Sequence, residues 1–183
     1  VRRIRERGAS LVEVGIILPL LILLAIGLSE IGFLVVDFLT VTNAAREGAR
    51  TGAAAADFNQ AGVDADDLIL ESVEEAACNL RFGSLEKVLI YKADGVGDPI
   101  TGAINEYSPT GGLACDSPST NLGCDNGCPW AAAGRDRVPP GLDVLGVEVT
   151  FSHTSVTGLF PFPTVDWTEA AVMQIEPDTR GTQ

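Results

Sequence analysis

From Val14 to Val36 the chain reads VGIILPLLILLAIGLSEIGFLVV, 23 residues interrupted by one charge, Glu30. At about 1.5 Å of rise per residue a helix of that length extends roughly 35 Å, enough to cross hydrocarbon of about 30 Å. A removed secretory signal is the alternative, with GLS at residues 27–29 as a small-x-small cleavage site. The apolar run resumes directly after it, which favours a membrane helix retained in the mature protein. Glu30 is then expected near the far membrane boundary or inside it. Pro19 removes one backbone donor and crowds the carbonyl of Gly15, so a kink or loosening is predicted over residues 15–19.

Charge is divided sharply on either side of this run. Residues 1–8, VRRIRERG, hold four arginines against one glutamate, a local balance of +3, whereas the remaining chain holds 8 basic and 24 acidic residues. A basic tip, an apolar run and an acidic body form the charge layout of a protein whose N-terminus stays in the cytoplasm while its body is exported. A net charge of −13 excludes a nucleic-acid-binding surface, which needs clustered Lys and Arg.

Nothing between Val36 and Ala56 breaks the helix except isolated glycines, so the periodicity predicts one helix over residues 10–56, about 70 Å long. Its later part places Ala45, Gly48, Ala49, Gly52, Ala53 and Ala56 at i, i+3, i+4, i+7, i+8 and i+11. This stripe of small side chains is a packing surface, for the chain's own domain or for a neighbouring helix. VDADDLILESVEEAACNL is predicted as a second helix, with Asp64, Asp66 and Asp67 at its start and Leu68, Ile69, Val73, Ala76, Ala77 and Leu80 on its apolar side. Strands are predicted at 88–91, 144–151 and 168–175, and residues 94–141 as a long Gly-rich loop. The expected fold class is α+β: a long N-terminal helix of membrane-spanning length, then a small domain with a second helix and an antiparallel sheet.

Cys78, Cys115, Cys124 and Cys128 are an even set on the exported side. In an oxidising compartment they are expected as two disulfides that staple the long loop, with three connectivities open. Their spacing lacks the paired short knuckles of a zinc site. DGVGDP and CDNG read as turns rather than calcium loops. His153 is the single histidine, without a G-x-S-x-G elbow, and is expected at a surface or sheet edge. VDADD and ESVEE are expected as a helix start and a solvated helix face. Neither an enzyme, a metal nor a cofactor has residues to rest on. At the start of the apolar run, Ser10 and Glu13 fit S-x-x-E, a capping box.

RGASLVEVGIILPLLILLAIGLSEIGFLVVDFLTVTNAAREGAR, from Arg7 to Arg50, resembles the N-terminal signature of the TadE-like family, the pilin-like proteins of tight-adherence pilus systems. The matching features are the RG-x-S-L-V-E entry, the ILPLL core, Glu30 followed by Ile31 and Gly32, and TNAAREGAR. Residues 144–177 resemble the family's closing strands less specifically. The resemblance implies a leader of residues 1–8 removed after Gly8 by a prepilin peptidase, leaving Ala9 as the new N-terminus. It further implies a transmembrane and projecting helix over 9–57 and an extracytoplasmic domain over 58–183. Glu13 would pair with the free α-amine of a neighbouring subunit, and an ion pair entering a low-dielectric bundle is far less costly than either charge alone. Glu30, Arg46, Glu47 and Arg50 are the further assembly residues. The implied partners are the peptidase, other pilin or pseudopilin subunits, the assembly platform and the membrane, in a homo- or hetero-oligomer. The size of the domain points to a minor, tip-like subunit. The competing expectation is a membrane-anchored extracellular binding module whose N-terminus is not cleaved.

Overall fold

The computed structural model describes residues 2–60, 62–108, 123–158 and 164–177, with side chains from Leu11 onward. The first helix, α1, runs from Arg2 to Ala55 without a break at Pro19, a span of about 80 Å. It already includes Arg2–Gly8, so Ser10 and Glu13 lie within the helix rather than at the start where a capping box was expected. A minimal hairpin of β1 (Asn59–Gln60) and β2 (Val63–Asp64) turns the chain back into α2 (Ala65–Ala77).

The start of α2 is fixed by its own carboxylates. Asp64 accepts from the amides of Asp66 and Asp67, at 2.9 and 3.1 Å, while Asp67 accepts from the Asp64 amide at 2.8 Å. This reciprocal pair satisfies donors that a helix start leaves open. The buried face of α2 carries Ile69, Leu70, Val73 and Ala77, so Leu70 stands where Leu68 was expected.

Four strands form one antiparallel sheet in the order β4-β3-β5-β6: β3 (Gly83–Ala93), β4 (Pro99–Tyr107), β5 (Val144–Thr154) and β6 (Thr164–Gln174). The strand β4 overturns the expected unbroken loop over 94–141. In ITGAINEY the strand-favouring Ile100, Thr101, Ile104 and Tyr107 are interrupted by Gly102, Ala103, Asn105 and Glu106, and pairing with β3 supplies what local propensity does not. The core joins Val41, Ala44, Ala45 and Ala49 of α1 to Ile69 and Val73 of α2 and to Val88, Ile90, Leu145, Val147, Val149 and Phe151 of the sheet. On the other face of the sheet the Tyr91 ring covers Gly146, where any β-carbon would clash with it.

The small-residue stripe of α1 belongs to this core. A β-carbon at Gly48 would stand 2.5 Å from Val73 Cγ2, and one at Gly52 would stand 2.8 Å from both Ile69 Cδ1 and Leu145 Cδ2. The stripe therefore serves the chain's own domain, settling which of its two possible partners it meets. α1 runs antiparallel to β5: Gly52 lies over Leu145 and Gly48 near Val147, while Asp37 meets His153 and Glu30 meets Ser155.

The loop after β4 is held by more than disulfides. Cys124 and Cys128 are bonded to each other, with Cα atoms 5.8 Å apart; Cys78 is also disulfide-bonded, and Cys115 lies outside the described residues. A buried polar network does the rest. Asp66 accepts from Asn105 Nδ2 and from the Tyr107 hydroxyl, both at 2.7 Å, and pairs with Arg135. Asn105 in turn exchanges bonds with the backbone of Trp130 at 2.9 Å, and the Arg135 guanidinium stacks 4.5 Å from the Trp130 ring centre. Burial, reinforced by the Asp66 carboxylate, pushes the Tyr107 phenol far above its usual range. VDADD is the expected helix start, but its Asp66 is buried, and Glu74 is buried too, so ESVEE is not wholly the solvated face expected.

Candidate functional site

Along α1 the side chains from Leu11 to Ala25 are all exposed, Ile26 and Gly27 are half-buried, and the first buried residue is Glu30. Leu11–Ser29 is therefore a nearly bare apolar rod of about 28 Å, close to the 30 Å of a hydrocarbon core. An exposed surface of this extent on an otherwise packed molecule marks a membrane or protein contact. Glu13 sits exposed near the start of the rod. Gly8 and Ala9 are in the helical backbone of α1.

At the upper end of the rod the domain begins, and two carboxylates of α1 fasten it there. Glu30 Oε1 accepts from the Ser155 hydroxyl at 2.8 Å and from the amide and hydroxyl of Thr157, both at 2.7 Å; Oε2 accepts from the Val156 amide at 3.2 Å. The turn after β5 is thus wrapped around one side chain. Two helical turns further on, Asp37 Oδ2 is hydrogen-bonded to His153 Nδ1 at 2.8 Å, and Oδ1 accepts from the Arg81 amide at 3.2 Å. Both Asp37 and His153 are buried, so the histidine is not the surface or edge residue expected from the sequence. Phe33 against Phe82, at 4.8 Å between ring centres, and Phe38 against Trp167, at 5.6 Å, close the apolar gaps beside these bonds.

The remaining assembly residues lie away from this junction. Arg46, Glu47 and Arg50 are exposed on the outer side of α1, where Arg50 and Glu47 form a loose surface pair at 3.8 Å. The outer side is apolar before it is charged: Leu28, Ile31, Val35, Val36 and Leu39 are each at least 46% exposed. Asp37, His153 and the turn 155–157 were not among the sequence-derived site residues. A signal for Asp37 existed, because the small-residue stripe traced backwards from Gly48 reaches Val41, Asp37 and Glu30 at steps of seven, four and seven. Among the described residues no group of His, Cys, Asp or Glu is arranged to hold a metal ion.

A helix bare over the thickness of a bilayer, then clasped along one face by an α+β domain, is the build of a single-pass membrane protein. Residues 8–50 match the family model described as TadE-like protein, so that segment is TadE-like and points, at family level, to a pilus-associated pseudopilin. The match lies within α1 and stops short of α2 and the sheet. No curated protein and no solved structure matches the chain.

Proposed function

We propose that the chain is a structural pseudopilin of a tight-adherence type pilus, anchored by α1 with its domain outside the cytoplasm and used in assembling or composing an adhesive surface filament. The bare apolar rod with Glu13 near its start, continuous with the exposed apolar outer face up to Leu39, is the observation that carries this reading. A bilayer covers about twenty residues of helix. The outer face from Ile31 to Leu39 extends past that length and needs a protein neighbour, which a bundle of such helices supplies.

Cleavage after Gly8 by a prepilin peptidase would free the Ala9 α-amine, with an ordinary pKa of about 8 and so largely charged at neutral pH. Glu13, exposed and without a described hydrogen-bond partner in its own chain, is available to the amine of an adjacent subunit. Arg46, Glu47 and Arg50 extend the same outer face into a charged contact, while Glu30 contributes by setting the domain on the helix.

N-terminal sequencing of the protein recovered from cell membranes and filaments tests the processing step: the expected first residue is Ala9. Retention of Gly8 in the mature chain would favour a membrane-anchored binding module instead. Glu13→Gln is expected to leave processing intact and impair incorporation into filaments; normal incorporation would show that no ion pair is needed there.

A further inference from the structure

The turn after β5 lies in the longest uncharged run of the domain. From Thr154 to Val165 the sequence TSVTGLFPFPTV has no charge, in a chain whose net charge is −13. Within its described part, Val156, Thr157 and Gly158 are exposed, Val156 by 47%. The Ser155 hydroxyl accepts from the Gly158 amide at 3.2 Å, closing the turn on itself. Its position on α1 is fixed by the four hydrogen bonds to Glu30.

That position is the level at which the bare rod ends. Leu11–Ser29 takes up about 28 Å of helix, which leaves Glu30 and the turn bound to it at the membrane–water boundary if the rod fills the hydrocarbon. A strongly acidic domain is repelled by an anionic lipid surface. An uncharged turn ending in an exposed aliphatic side chain can approach it, because the interface accepts apolar groups and wetted backbone together.

We propose that the turn Ser155–Gly158 is a membrane-surface contact, held by Glu30 against the lipid headgroup region with Val156 as its apolar point. The proposal rests on the single-pass reading of α1 and adds a second, shallow point of attachment. Two points fix the angle of the domain over the bilayer, where one helix alone leaves it free to tilt.

The test uses the full chain in phospholipid vesicles, with an environment-sensitive fluorophore on Leu20→Cys, Val156→Cys or Val96→Cys and nitroxide lipids that quench at the headgroup or deep in the acyl chains. Val96 lies in the β3–β4 turn at the opposite end of the sheet and is 85% exposed. The expected result is loss of emission at position 20 with the deep quencher, loss at position 156 with the headgroup quencher, and no loss at position 96. Quenching at 20 with position 156 as bright as 96 would overturn the surface contact and leave the membrane helix standing. Absence of quenching at 20 would remove the single-pass reading and the contact with it.

Discussion

Asp37 and His153 are 116 residues apart in the chain and 2.8 Å apart in space. Both are buried, and the second carboxylate oxygen of Asp37 accepts the Arg81 amide, so removing Asp37 strands two polar groups at once. Asp37→Ala and His153→Ala are each expected to lower unfolding free energy by about 1–3 kcal/mol, the cost of leaving buried partners unsatisfied. Denaturant titration of the full chain in detergent measures this, and the double variant should fall short of the sum of the two. A similar test of polar anchoring is available at Asp94, whose Oδ1 accepts the amides of Val96, Gly97 and Asp98, each at 2.9 Å. These bonds hold its carboxyl below the usual 3.8. The stabilisation is present above pH 3.8 and is lost as pH falls through the lower, folded value. Protection of the Val96 amide, measured against its intrinsic exchange rate at each pH, should therefore fall in acid below that range, and an Asp94→Ala variant should lack that protection at every pH.

At the scale of elements, α1 has two faces with different work. Gly48 meets Val73 and Val147, whereas Gly32, four turns earlier on the outer side, has nothing within 4 Å of a β-carbon. Gly48→Ala is expected to cost about 1–3 kcal/mol through overpacking. Gly32→Ala should leave domain stability unchanged or raise it by up to about 1 kcal/mol through helix propensity. Thermal unfolding of the two variants side by side checks the contrast. Much of the element pattern was legible in the sequence: the long helix, the small-residue stripe, the Asp-rich start of α2 and the alternation in LGVEVTFSH all follow from local periodicity and capping. β4 was not, because Gly102, Asn105 and Glu106 are poor strand formers that β3 recruits by pairing. Asp66 was legible as part of the helix start but not as a buried anchor, for a related reason: its partners Asn105, Tyr107 and Arg135 lie 39, 41 and 69 residues away, beyond any local pattern.

At the scale of the whole molecule, the chain is a rod of which one stretch is bare and another is clasped. Described side-chain bonds between α1 and the rest of the chain begin at Glu30, so a chain of residues 29–183 is expected to fold without detergent and keep the same sheet. Circular dichroism is expected to show a folded species; an unfolded product would mean that the rod also supports the domain, whereas self-association on gel filtration would reflect the exposed apolar face from Ile31 to Leu39. The sequence by itself determined the apolar helix, its length against a bilayer, the polarity of charge across it and the TadE-like character of residues 8–50, since each depends on residues close together in the chain. Only the tertiary structure decided which face of the helix is free. The stripe was readable as a contact surface, but its partner was not, because β5 reaches it across more than ninety residues of intervening chain. The same holds for Glu30: as a charge in an apolar run it suggested a membrane boundary, and the returning turn 125–127 residues later made it the point where the domain is fastened.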